Sequence, residues 1–398
     1  MKKILIFSFS AFSLSLALYT STAQAYIGLC CAKCGGNMPM NIPGGGVPET
    51  HEFRFKVSPM FMRMDGLRDG TDNINSGDLL GMPVMMGQPT GKFMAVPTDM
   101  DMSMLNLAMG YSFSDDFFAG MMLMWKDNDM TMKFNDMMSM PVAMGGTGKK
   151  GFTMESSGMA DTMLMAKYRL YTDDPLVPTS QSSLFMGLSL PTGSINEKNS
   201  NHPVLMRKSE QLPYSMQLGS GTFDPSIGLL YQGSSSPNWW GVNAMFTARL
   251  YDNSRDYRLG DVLTLDLYGM HQLRHDLVSQ LQLNLLTMDQ IGGEMDEAVS
   301  GASGRVTQDN PSTPYMTPLW DTDNYGGTKI TVTAGLQWQP APLNIVEFDI
   351  GIPVYQDLNG PQLEDEYKIM LTWYRELPSK ASIRHSGKSH VNNSKLGF

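Results

Sequence analysis

Leu105-Asn106-Leu107-Ala108-Met109-Gly110-Tyr111-Ser112-Phe113, a turn at Ser114-Asp115-Asp116, and Phe117-Phe118-Ala119-Gly120-Met121-Met122-Leu123-Met124-Trp125 set the period of the chain. The odd positions Leu105, Leu107, Met109, Tyr111 and Phe113 are apolar. Small or polar residues stand between them. After the turn the apolar phase resumes at Phe117, Ala119, Met121, Leu123 and Trp125. Successive side chains of a strand point to opposite faces, so a period of two marks a half-buried β-strand. Two such runs joined by a short polar turn read as a hairpin.

Working outward, the same period recurs. Phe53, Phe55, Val57 and Phe61 alternate with Arg54, Lys56, Ser58 and Met60. Further runs lie at 162–170, 184–190, 225–231, 240–250, 263–268, 277–285, 330–338, 346–352 and 367–373, with a short extra candidate at 129–135. No helical period competes with them. Segments of about ten residues, apolar on one face and polar on the other, characterise transmembrane barrels. Lipid offers the backbone no partners, so only helices or closed barrels cross it. The expected fold is therefore all-β, an antiparallel transmembrane β-barrel of about 12 strands. A soluble sandwich or propeller is the competing architecture. It would carry a more charged exterior, whereas only 17% of these 398 residues are charged. Aromatics near segment ends, among them Tyr111, Phe113, Trp239, Trp240, Trp338, Trp373 and Tyr374, read as an interfacial girdle.

The barrel is expected over 51–375. Short links at Asp115-Asp116 and Arg274-His275-Asp276 alternate with longer ones at 65–99, 136–157, 191–222, 251–260, 287–327 and 353–364. Residues 1–25 read as a signal peptide. Lys2 and Lys3 precede an apolar run, and Ala23-Gln24-Ala25 is a small-x-small cleavage site. Residues 26–50 then form a Cys/Met/Gly-rich periplasmic arm, and 376–398 a polar tail. The expected location is the outer membrane, with its lipid as one partner. A net charge of −10 argues against nucleic acid. No catalytic motif nominates a nucleophile, so an enzyme is not expected.

The run Ser183-Leu184-Phe185-Met186-Gly187-Leu188-Ser189-Leu190-Pro191-Thr192-Gly193-Ser194 resembles the mid-barrel G-x-x-x-P-T-G strand and loop of the meta-pathway phenol-degradation-like outer-membrane transporters. That resemblance implies an outer-membrane channel for small, often hydrophobic molecules. The methionine load departs from the family's pattern.

Methionine supplies 36 residues, and 21 of them fall within 82–165. By phase, Met60, Met62 and Met64 continue the face of Arg54 and Lys56. Met100, Met102 and Met104 precede Asn106, and Met122 and Met124 precede Lys126. Met159, Met163 and Met165 share a phase with Asp161, Lys167 and Arg169. These are expected in the lumen, together with the polar residues Arg54, Lys56, Asp161, Lys167, Arg169 and Arg249. Period-two ladders place thioethers about 7 Å apart along a strand. Thioethers are soft ligands that suit Cu(I) and need no deprotonation. Copper or another soft ion is thus the candidate ligand. A soft lining for organic solutes and an oxidant sink are the alternatives. Cys30, Cys31 and Cys34, with Met38 and Met40 close behind, offer a second soft-metal set. A disulfide with one spare thiol, or lipidation, competes there. The same arm would dock a periplasmic partner in a third reading.

Overall fold

The computed structural model describes residues 38–45, 50–174, 178–295, 304–306, 313–382 and 384–385. Its wall is built from β1 (Glu52–Gly70), β2 (Ala95–Ser112), β3 (Phe117–Phe134), β4 (Gly151–Met159), β5 (Thr162–Thr172), β6 (Ser180–Leu190), β7 (Asp224–Ser235), β8 (Asn238–Thr247), β9 (Val262–Arg274), β10 (Leu277–Met288), β11 (Gly327–Ala341) and β12 (Asn344–Pro378). Each pairs antiparallel with its neighbour, and β12 returns to pair with β1. β4 lies outside this ring of eleven, because it prolongs the line of β5 along β3.

An antiparallel ring closes only with an even number of passes. β12 resolves the odd count. It is 35 residues long. Its first part runs antiparallel to β11 from Asn344 to Leu358, and its second runs antiparallel to β1 from Leu363 to Pro378. The chain reverses at Gly360, whose φ of 68° lies in the left-handed region. Gln356 spans the bend, donating to the Asp365 carbonyl at 3.0 Å and accepting from the Asp365 amide at 2.9 Å. The wall therefore makes twelve passes. The stretch 353–364, read from sequence as a long loop, is this hairpin.

The long connections 71–94, 135–150, 191–223, 248–261 and 289–326 all leave from one end of the barrel. The short links, with the start of β1 and the end of β12, lie at the other. The strands also outrun the expected ten residues. β1, β2 and β3 reach 19, 18 and 18 residues, so 129–135 extends β3 and is no separate strand. Beyond Leu105 and Trp125 the outer face changes from apolar to Asp99, Asp101, Asp127, Asp129 and Glu155.

Below that point the exterior is a continuous apolar belt, including Phe55, Leu107, Leu164, Ile227, Leu229, Leu267, Leu281, Phe348, Ile350 and Leu371, all exposed. The interior phase holds Arg54, Ser58, Lys167, Asn243, Asp266, Gln280, Gln282, Thr333 and Thr372, all buried. Two aromatics leave the expected girdle. Tyr374 is 1% exposed, and Trp239 packs against an interior cluster. Both belong to the inward phase of their strands, and only the outward phase meets the exterior.

Adjacent tryptophans on opposite faces make this orientation testable. In proteoliposomes of brominated lipid, a variant keeping only Trp240 should lose most of its fluorescence. One keeping only Trp239 should retain most of it. Equal quenching of both would contradict the inward placement of Trp239.

Candidate functional site

The inner wall is chemically two-sided. On β8–β12 it carries amides and carboxylates. Asn243 and Asn284 donate to the two oxygens of Asp266 at 2.9 and 2.8 Å, and Thr333 donates to the Asn284 carbonyl oxygen at 2.7 Å. On the facing arc, from the end of β12 through β1, β2, β3 and β5, it carries thioethers. Strand register puts them directly opposite one another. Met154, Met130, Met100 and Met64 form one row across four strands. Met102 faces Met62, while Met104, Met60 and Met370 form a further row. Met122 faces Met163. Directly opposed residues have Cβ atoms about 4.5–5.5 Å apart, close enough for two thioethers to reach one small ion.

Met60, Met62, Met64, Met100, Met102, Met104, Met122, Met124, Met163 and Met165 all lie on the inward phase, as expected. Met159 does not. It is 41% exposed and pairs outward with Trp125. Between the pairs Met122–Met163 and Trp125–Met159, three residues of the β4–β5 line face two of β3. That extra residue is a bulge, and it reverses the phase. Met130, Met132, Met154 and Met370 join the wall without having been nominated. The even phase of Lys126 and Asn128 already pointed to Met130 and Met132, had 117–134 been read as one strand.

The six polar residues expected in the lumen divide among three places. Arg169 sits at the short-turn rim, its Nε 2.7 Å from Asp116. Asp161 and Arg249 lie at the long-loop rim. Asp161 accepts from the amides of Gly193 and Ser220 at 2.9 and 2.8 Å, and Arg249 pairs with Asp224. Arg54, Lys56 and Lys167 point into the lumen, where they hold part of the amino-terminal arm.

Residues 38–45 of that arm lie inside the barrel. They make two successive turns, Ile42 N to Pro39 O at 3.3 Å and Gly45 N to Ile42 O at 3.0 Å. Most of their backbone groups need other partners, and buried polar groups are rarely left without one. Wall side chains supply them. The Met40 amide donates to both Glu347 carboxylate oxygens at 2.9 and 3.0 Å. Lys56 Nζ donates to Met40 O at 2.8 Å, Gln337 to Met38 O at 3.1 Å, and Lys167 to Gly44 O at 3.4 Å. Arg54 Nη1 reaches Gly45 O at 2.5 Å, and its guanidinium lies 4.4 Å from the centre of the Phe118 ring. Gly110 makes room for that ring, because a Cβ there would collide with it. Asn41 and Gln282 exchange amide bonds at 2.9 and 3.0 Å. Cys30, Cys31 and Cys34 lie outside the described residues.

At the opposite end the long connections fold onto the inner face. Leu212, Met216 and Leu319 pack with Met100, Met130, Met132, Phe134 and Met154. A second cluster joins Tyr214, Tyr257, Met295 and Trp320. His202, in 191–223, lies edge-on to Phe152 with ring centres 4.6 Å apart. Burial and the nearby Arg207 charge push its pKa down to about 4. Among the described residues no three His, Cys, Asp or Glu group as a metal site.

No family model matches the chain, and no curated protein matches it. Among solved structures it is similar to the COG4313 outer membrane channel from Pseudomonas putida F1, at 12% identity and a TM-score of 0.47, covering 83% of this chain and 97% of that one. It is also similar to the P. putida toluene transporter TodX, at 10% identity and 0.39, covering 82% and 91%, and to the NanC porin, at 10% and 0.37, covering 80% and 100%. At these identities the likeness concerns barrel shape and carries no solute over to this chain.

The His202 environment gives a pH prediction. A depressed folded-state pKa means that the unfolded loop binds the proton more readily between pH 6.5 and about 4. Stability is present above 6.5 and lost as the pH falls through that window. The loss is on the order of 1–2 kcal/mol, allowing for solvent screening. Proteolysis within 191–223 should accelerate over this range, and His202→Phe should remove most of the dependence.

Proposed function

We propose that this protein is an outer-membrane channel through which a small, soft solute passes along the methionine arc, with monovalent copper as the cargo that fits it best. The placement in the outer membrane is supported by the apolar belt on a closed barrel, since closure leaves no unpaired edge to the lipid. The single observation that carries the cargo is the direct opposition of thioethers: Met60 with Met104, Met62 with Met102, Met64 with Met100 and Met122 with Met163. Such pairs offer many weak, neutral, soft contacts. Conduction requires binding sites that an ion both enters and leaves. Thiolates would hold it more firmly.

A second reading has an observation of its own. The apolar cluster under the long connections continues the methionine arc and would suit a hydrophobic organic solute. The experiment that separates the two is Cu(I) flux into proteoliposomes loaded with a Cu(I)-specific dye. It compares the wild type with Met60→Leu/Met62→Leu/Met104→Leu/Met122→Leu. Leucine keeps the apolar bulk and removes sulfur. Flux should fall about tenfold or more, the loss expected when several soft contacts are removed. Unchanged copper flux would discard the copper reading, and aromatic uptake by the same variant would then test the second.

A further inference from the structure

We infer that the methionines at the tips of the long connections form a sacrificial layer, oxidised to sulfoxides by hypohalous acids before the buried thioethers beneath them. This goes beyond the channel reading and does not depend on its cargo. Met85 and Met86 in 71–94, Met144 in 135–150 and Met206 in 191–223 are 61, 99, 73 and 87% exposed. Each thioether reacts alone, so the layer requires no convergence of side chains. With hypochlorous acid, the sulfur attacks chlorine and releases hydroxide. Water then displaces chloride from sulfur and loses its two protons, one of which neutralises the hydroxide. The net products are one sulfoxide, one chloride ion and one proton. Sulfur loses two electrons and chlorine gains them.

Three observations support it. First, these side chains do little for the fold, since an apolar group left in water gains nothing from burial. Met86 also stands in a strained place. Val84 pairs with Pro89 and Met85 with Gln88, and the two residues between them, Met86 and Gly87, have φ of 52° and 77°. Such a turn favours Asn-Gly, and an unbranched apolar side chain at its first position has no conformational advantage. Second, the same three connections cap the apolar cluster at this end. Leu79, Leu80 and Phe93 of 71–94, Met138 of 135–150, and Leu212 and Met216 of 191–223 belong to it or pack on it. Third, that cluster depends on unoxidised sulfur. Met100, Met130, Met132, Met154 and Met216 are among its buried members, each 4% exposed or less. A sulfoxide is polar and disrupts such packing. The accessible thioethers thus stand on the solvent side of the elements that cover the vulnerable ones.

The probe is hypochlorous acid, added stepwise to the full chain folded in detergent. Every sample carries Cys30→Ser, Cys31→Ser and Cys34→Ser, so thiols cannot consume the oxidant. Heat-modifiable migration on gels confirms that each variant is folded before oxidation. Peptide mass spectrometry then reads the sulfoxide at each methionine. Met85, Met86, Met144 and Met206 should be converted while the five cluster methionines are still thioethers. In Met85→Leu/Met86→Leu/Met144→Leu/Met206→Leu, half-oxidation of the cluster and loss of the folded band should come about four equivalents of oxidant earlier, one for each thioether removed. The arc variant Met60→Leu/Met62→Leu/Met104→Leu/Met122→Leu removes as many thioethers from partly buried positions and should shift that dose less. Parallel oxidation of tip and cluster methionines overturns the layer. So does an unchanged dose in the tip variant, or a shift in the arc variant as large as that in the tip variant. Copper flux tests the channel reading apart, so either can fail while the other stands.

Discussion

Every other feature of this molecule depends on the hydrogen-bonded closure of β12 onto β1. The register runs without a break from Glu52–Pro378 to Val57–Trp373 and resumes from Met60–Met370 to Arg63–Tyr367. This seam leaves the ring of eleven without an edge strand, and β4, outside the ring, is paired on one side alone. It also fixes which alternate residues face inward on every strand, because register propagates from neighbour to neighbour around the ring. A slip of one residue at the seam would turn Arg54, Ser58 and Thr372 outward and Phe53, Phe55 and Trp373 inward.

Closure creates an interior that must then be filled or hydrated. Here the two halves of the ring fill it differently. β8–β11 present a connected amide and carboxylate network, and β1–β5 present thioethers. The amino-terminal segment lies against both. Its backbone accepts from Arg54 and Lys56 on the thioether side and bonds to Glu347 and Gln337 on the other, where the Asn41 side chain also pairs with Gln282. The segment has little regular backbone bonding of its own, so its position is dictated by those wall side chains. The long connections do the same from the opposite end with apolar contacts. Methionine serves both tasks. At the long-loop end Met100, Met130, Met132 and Met154 act as adaptable packing beneath Leu212 and Leu319. Further down, Met60, Met62, Met104 and Met122 are only partly buried and stay accessible from the lumen.

The sequence by itself determined a good deal. The period of two is a property of the covalent chain in extended form, so all-β architecture, about twelve strands and the inward phase of Met60, Met62, Met64, Met102 and Met104 were legible without coordinates. The polar phase of the same strands marked Arg54, Lys56 and Lys167 correctly as interior. Phase counting failed where an extra residue entered. The bulge before Thr162 sent Met159 outward, and a bulge carries no mark that alternation can detect. It also failed at 353–364, where the turn residues Asn359-Gly360-Pro361 drew the whole stretch into a loop although strand pairing continues on both sides of them.

Only the tertiary structure decided which side chains meet. Met60 with Met104 and Met130 with Met154 depend on the pairing offset between strands, which long-range closure sets and local pattern does not contain. The burial of residues 38–45 depends on it too. That segment is short, has no periodic pattern, and is held between Lys56 and Glu347, some 300 residues later in the chain, which the ring brings to the same Met40 peptide units. The sequence states what each strand offers to its two faces. The closed register states what those offers face, because the hydrogen bonds that align the strands join residues far apart in the chain.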